Sequence, residues 1–386
     1  MRKTKKTFAF LFLLVITELF IDKTFIVCAD AISDSVTEQL NNLDLSKLEQ
    51  FFNSIFTFEG ISFTSYLTNL LSGNYNINFT TIISYVLNVF FNSIIDLMPT
   101  FISIISICIF SAIIKQVRNS FLSESVAEIA FYICMCAIAV LLLGQIVNVF
   151  NSCKIVIKNI AILSDIMSPI ILTLMIAIGG NVSATVYNPA VTFLTNGVIN
   201  LILYVLFPLI IISFTFSFAS NFSSEIKLSK FSDFINSSIK WIIGITATVF
   251  GVFLSIQGIT SACYDGISIK AVKYTVSNSI PIVGGFLKDG FDLIVAGSVL
   301  IKQAIGLSCV FGLFFLIISP VLSIAVFSLM LKLCSAIIET VSDVRLSNFC
   351  LSITKSLGYV TAALLLVGFM FFIMVLLMIF SANAFV

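Results

Sequence analysis

IMSPIILTLMIAIGGNVSATVYNPAVTFLTNGVINLILYVLFPLIIISFTFSFASNFSS, residues 166–224, runs for 59 residues without one charged side chain. A hydrocarbon core about 30 Å thick needs about 20 apolar residues per helical crossing, so this run holds two membrane-embedded segments. A small polar knot, Gly179-Gly180-Asn181-Val182-Ser183, followed by Pro189, separates them. Water-soluble domains do not carry such a stretch, and it sets the class as an all-α polytopic membrane helix bundle.

Composition agrees. The chain is 59% hydrophobic and 10% charged, with mean hydropathy +1.14 and 40 phenylalanines, whereas soluble domains average about 25% charged residues. In lipid every backbone N–H and C=O must be paired within the structure, which leaves helices and closed barrels. The long Ile/Leu/Phe runs do not alternate as barrel strands do. A net charge of +1 gives no reason to expect nucleic acid as a partner.

The first 29 residues read as a secretory signal. Arg2, Lys3, Lys5 and Lys6 form its basic start, Phe8–Val15 open the apolar part, and Val27-Cys28-Ala29 present small residues before a cut between Ala29 and Asp30. As a retained first helix, the same stretch would carry Glu18, Asp22 and Lys23 at about 2.5–3.5 kcal/mol each near a helix centre. Residues 30–80 then form a short acidic extracytoplasmic segment, with six acids against Lys47. Its Phe51, Phe52, Phe56 and Phe58 are expected to pack on the membrane or on neighbouring helices.

Residues 81–386 form the bundle, with six or seven spans. They are expected at Leu97–Ile114, Ile129–Phe150, Ile166–Ile178, Ala190–Phe218, Trp241–Gln257, Ala304–Leu331 and Gly358–Phe380. The short third one is read either as a span or as a re-entrant segment stopping at Gly179-Gly180. Seven true spans put six Lys/Arg inside and eight outside. The re-entrant arrangement reverses the count and suits the positive-inside rule better.

Chemistry is sparse. There is no histidine, which removes His-based acid–base catalysis and most zinc sites. Cys134 and Cys136 lie about 200° apart on a helix and read as small core residues. No GxxxxGK[ST] loop is present. The expectation is a non-enzyme without cofactor or metal. The unusual region is 255–307, too polar for an ordinary span. On a helical wheel Lys288, Asp289, Asp292, Ser298, Lys302 and Gln303 share about one half, interrupted by Val295 and Val299. They are either the wet face of an interfacial helix or the lining of a polar cavity between helices.

Several motifs resemble the stage III sporulation protein AE family of endospore-forming bacteria. They are Gly179-Gly180-x-Val182-Ser183-Ala184 with Pro189 and Phe193-Leu194, the block Gln257-Gly258-Ile259…Asp265-Gly266-Ile267-Ser268 leading into Ile280-Pro281-Ile282-Val283-Gly284-Gly285, and Lys355-Ser356…Tyr359-Val360…Ala362-Ala363 before the last span. The resemblance runs from about residue 80 to the end, and the first eighty residues match only in type. It implies an integral membrane component of the channel apparatus linking mother cell and forespore, in the mother-cell membrane around the engulfed forespore. The implied partners are the ATPase-like stage III protein AA and the ring-forming proteins AG and AH. No catalytic residue is carried over. The bundle would be either a permease-like part of the channel, with Gly179-Gly180 and 255–307 along its path, or a non-conducting scaffold that assembles the ATPase and rings.

Overall fold

The computed structural model describes residues 39–40, 43–55, 67, 79–121, 124–222, 228–279, 283–341 and 344–381. The expected signal cleavage at Ala29 and Asp30, and much of the 30–80 segment, lie outside the described residues. A short helix, α1 (Ser46–Ile55), comes first. Six long ones follow: α2 (Phe79–Phe121), α3 (Glu124–Ala177), α4 (from Asn181 to Phe222), α5 (Ser229–Ser279), α6 (Val283–Val341) and α7 (Val344–Phe380). Among the described residues these six are long and apolar enough to cross a membrane.

The helices are longer than the windows that announce them. Leu97–Ile114 is the second half of an apolar segment that starts at Ile82. The segments Ile129–Phe150 and Ile166–Ile178, expected to be separate, are one continuous helix, so the candidate spans among the described residues number six. Lys154, Lys158 and Asp165 had divided them. In the structure Lys158 and Asp165 sit on the exposed face and Lys154 at its margin, while Cys153, Ile157, Ile160 and Leu163 face the core. Charges confined to one face do not end a helix.

Gly179 marks the turn that follows. Its φ of 95° is left-handed. Its N–H donates to the Ile176 carbonyl, and that of Gly180 donates to Met175. This is the Schellman arrangement, which satisfies the last carbonyls of a helix. The Gly180 carbonyl then accepts from Ala184 and starts α4. The polar knot is therefore a tight helix–helix turn. Within α4, π-helical turns occur at Phe193–Val198 and Ile202–Leu206. The second precedes Pro208, which has no N–H to continue the regular ladder.

Side-chain pairs set the helix directions. Ser213 and Ser217 of α4 meet Asn236 and Ser232 of α5, each at 2.7 Å, so those helices are antiparallel. Ser335 meets Ser347, and Lys302 meets Ser381, giving the same sense to α6 and α7. Across the bundle, α2 and α6 run parallel through Tyr85–Phe315, Ser93–Ser323 and Phe101–Phe327. The α6–α7 seam is the closest. A Cβ on Gly306 would strike Ile379, and one on Gly368 would strike Ile317. Small residues let backbones approach where apolar burial gives helices no advantage over lipid.

The segment before the bundle returns to it. Asp44 Oδ1 accepts from the Ser46 hydroxyl at 2.5 Å and from its N–H at 3.2 Å, an Asx-turn that starts α1. The Ser46 side chain, then its backbone, holds the Asp44 carboxyl below its ordinary value. Leu45, Leu48, Phe51 and Phe52 are buried. Phe52 lies against Gly312 of α6, where a Cβ would come within 2.9 Å of its ring. Packing on neighbouring helices is thus what the structure shows for this face.

With six helices alternating in direction, one end of the bundle carries, among the described residues, Lys115, Arg118, Lys230, Lys240, Lys332, Arg345 and Lys355. The other carries Lys47, Lys270, Lys273, Lys288 and Lys302, while Lys154 and Lys158 stand midway along α3. On the positive-inside rule the first end is expected in the cytoplasm and α1 outside. Alkaline phosphatase fused after Asn181 or Val386 should therefore be active, and fused after Ser123 or Ser342 inactive. The reverse pattern would invert the orientation. Gly179→Ala should lower stability by about 1–2 kcal/mol, the cost of a left-handed Cβ, and Gly180→Ala by less than about 0.5 kcal/mol, since its φ is −80°. Thermal unfolding of the detergent-solubilised chain checks both.

Candidate functional site

Three helices each bring a short polar stripe to one place. On α2 it is Ser93, Asp96 and Thr100, on α3 Gln145, Asn148 and Ser152, and on α6 Ser319 and Ser323. Spacings of three and four residues keep each stripe on one helix face. Between them lies a cleft of about 680 Å³. Leu97, Val149, Leu316 and Ile324 form its apolar wall, Tyr85, Phe315 and Phe327 its aromatic part, and Ile55, at the end of α1, contributes to its rim.

The polar edges are partly tied together. The hydroxyls of Ser93 and Ser323 are 2.9 Å apart, and Gln145 Nε2 donates to Thr100 Oγ1 at 3.1 Å. Tyr85 and Phe315 meet edge to face, with ring centroids 5.2 Å apart. Pro320 also lines the cleft. It has no N–H for the carbonyl of Leu316, four residues earlier, so that oxygen loses its regular helical donor beside the cavity. Pro99 does the same on α2, one turn from Asp96.

Asp96 is the central group. It is the only charged residue from Gly60 to Ile114. The apolar segment Ile82–Ile114 has 33 residues, with fourteen before Asp96 and eighteen after it. At 1.5 Å per residue the segment is about 50 Å long, and Asp96 sits about 21 Å from its start. A hydrocarbon core about 30 Å thick contains Asp96 wherever it is placed on that segment. Asp96 is exposed on the bundle and borders the cleft, and charged groups inside apolar segments favour wet cavities over lipid. The arrangement can hold a polar or cationic group at membrane depth. Among the described residues no cluster of three or more His, Cys, Asp or Glu is placed to bind a metal.

The residues singled out from sequence lie elsewhere. Ser298 is buried and donates to Gln39 Oε1 at 3.1 Å, while Gln39 Nε2 donates to the Ile294 carbonyl at 3.5 Å. Lys302 is 0% exposed and its Nζ donates to the Ser381 carbonyl at 2.6 Å. A cation on the last carbonyls of a helix complements its dipole, so Lys302 caps α7. Neither residue lines the cleft. Lys288, Asp289 and Asp292 stand on the first turns of α6, with side chains outside the described residues. Gly179, Gly180 and Asn181 form the α3–α4 turn, and Pro189 lies inside α4.

Asp96 was missed because a lone charge reads as a span boundary. The span was started one residue later, at Leu97. The usable signal was its isolation in 55 residues, flanked at helical spacing by Ser93 and Thr100.

Comparison with known proteins agrees with the motifs. The family model of stage III sporulation protein AE matches residues 61–382. The stage III sporulation protein AE of Bacillus subtilis (strain 168) is 26% identical over 281 residues, covering 73% of this chain and 70% of that protein. No solved structure matches. With most of its length matched, including all six long helices, the chain belongs to the stage III sporulation protein AE family.

Proposed function

We propose that this protein is an integral membrane component of the channel apparatus between mother cell and forespore, required for sporulation after engulfment. Its place would be the mother-cell membrane that surrounds the forespore. Its partners would be the ATPase-like stage III protein AA and the ring-forming proteins AG and AH. The role is not enzymatic. The observation that carries the channel reading is Asp96, a lone carboxylate within an apolar candidate span that borders a cleft with polar groups from three helices.

The scaffold reading has support of a different kind. Ser298 and Lys302 both serve packing, one binding the N-terminal segment and the other closing the end of α7. As a scaffold, the protein would assemble the ATPase and rings and conduct nothing.

Asp96→Asn separates the two, since it keeps shape and removes charge. The channel reading expects sporulation to fall by about tenfold or more, the scale of a lost charge-assisted interaction. Membrane abundance and co-purification with the ring proteins should stay near wild type, and Asp96→Glu should recover part of the loss. Full sporulation of Asp96→Asn at normal abundance would leave the scaffold.

A further inference from the structure

We infer that the Asp96 cleft is a binding site for a small organic cation, a protonated amine of a few heavy atoms. The inference rests on the reading of the cleft as the working part of the protein, and it adds what the cleft recognises.

Charge comes first. Among the described residues that line the cleft there is no Lys or Arg. The Asp96 carboxylate is exposed where it borders the cleft, so a cation from solution can reach it. An anionic solute meets only a like charge.

Size and donor arrangement exclude a bare metal ion. A cleft of about 680 Å³ falls within the range of small-molecule sites, about 300–1,000 Å³. Calcium needs six to eight oxygens converging at about 2.3–2.6 Å. This cleft offers one carboxylate, with its remaining oxygens spread over three helices. The Asn148 amide, the hydroxyls of Ser152 and Ser319 and the Leu316 carbonyl suit the separate N–H groups of an ammonium instead.

The aromatic wall completes the match. Tyr85, Phe315 and Phe327 line the same cleft as Asp96. Ring faces attract cations, and a carboxylate set beside aromatic rings is a common way to bind organic ammonium groups. Leu97, Val149 and Ile324 add surface for a short carbon chain.

The test uses the full chain purified in detergent, with propylammonium and 1,4-diaminobutane as probes, and with propanol and sodium chloride as the neutral and ionic controls. Binding is read by equilibrium dialysis of labelled amine and by the rise in Tm. Saturable binding of the amines, with no response to either control, is expected. Asp96→Asn should weaken the apparent Kd about tenfold or more. Asp96→Glu should retain binding, and Asp233→Asn, on an exposed face of α5, should leave it unchanged. Should Asp96→Asn fail to accumulate, Ser152→Leu, which fills the cleft with an apolar group and keeps the carboxylate, must still abolish binding. Three results would overturn the inference: no saturable amine binding by wild type, equal binding of propanol, or undiminished binding in Asp96→Asn or Ser152→Leu. If amine binding is absent while Asp96→Asn still blocks sporulation, the ligand assignment falls and the channel reading stands. If binding is confirmed and Asp96→Asn sporulates normally, the channel reading falls and the site remains.

Discussion

Hydrocarbon supplies no hydrogen bonds, and the structure is organised around that fact. Every regular element among the described residues is helical, so backbone groups pair within their own segment. Helix ends are the weak points of that solution. The end of α3 is closed by the glycine turn at Gly179 and the end of α7 by the Lys302 ammonium. Hydroxyls inside the helices turn back on their own carbonyls, as Ser103 does to Pro99, Thr173 to Pro169 and Thr246 to Ile242. Two of these carbonyls belong to Pro99 and Pro169, which lack an N–H of their own but keep a carbonyl in the ladder. The cleft is where the constraint is relaxed. There Pro320 withholds a donor, and the polar side chains of three helices meet.

Helix length sets the scale of the protein. At 54 and 59 residues, α3 and α6 are about 81 and 89 Å long, more than twice a hydrocarbon core of about 30 Å. Parts of both must stand outside the bilayer. The polar clasps lie mainly toward the basic end, at Ser217–Ser232, Ser335–Ser347 and the Arg345 guanidinium 4.8 Å over the Phe131 ring. Toward the other end, glycine-mediated contacts between α6 and α7 take over. The bundle thus uses polar cross-links near both ends, with Lys302–Ser381 and Ser298–Gln39 at the second, and close apolar fit along the α6–α7 seam.

The class was legible from one uncharged stretch, because hydropathy reports directly on what lipid permits. The glycine turn was legible as a break, since Gly-Gly in an apolar run has few other uses. Its type was not, because a Schellman turn and a re-entrant tip share the same residues. The union of Ile129–Phe150 with Ile166–Ile178 was hidden by Lys154, Lys158 and Asp165. Hydropathy averages around the helix, and only the fold shows that those charges avoid the core face. The cleft was hidden for a related reason. Each stripe is two or three residues on an apolar helix, and its meaning depends on two other helices, one of them more than 200 positions away. Ser298 and Lys302 shared a wheel face but answer to different neighbours, which no wheel records.

The contact between Gln39 and Ser298 joins positions 259 apart. A chain made at about 5–20 residues per second needs about 13–50 s to cover that distance. Through that interval α2 to α5 are emerging while α1 has no groove to enter, and Leu45, Leu48, Phe51 and Phe52 have no α6 to cover them. Order of synthesis and order of assembly therefore differ at this point. The segment around α1 is among the last to find its place, and its apolar side stays uncovered until Gly312 arrives.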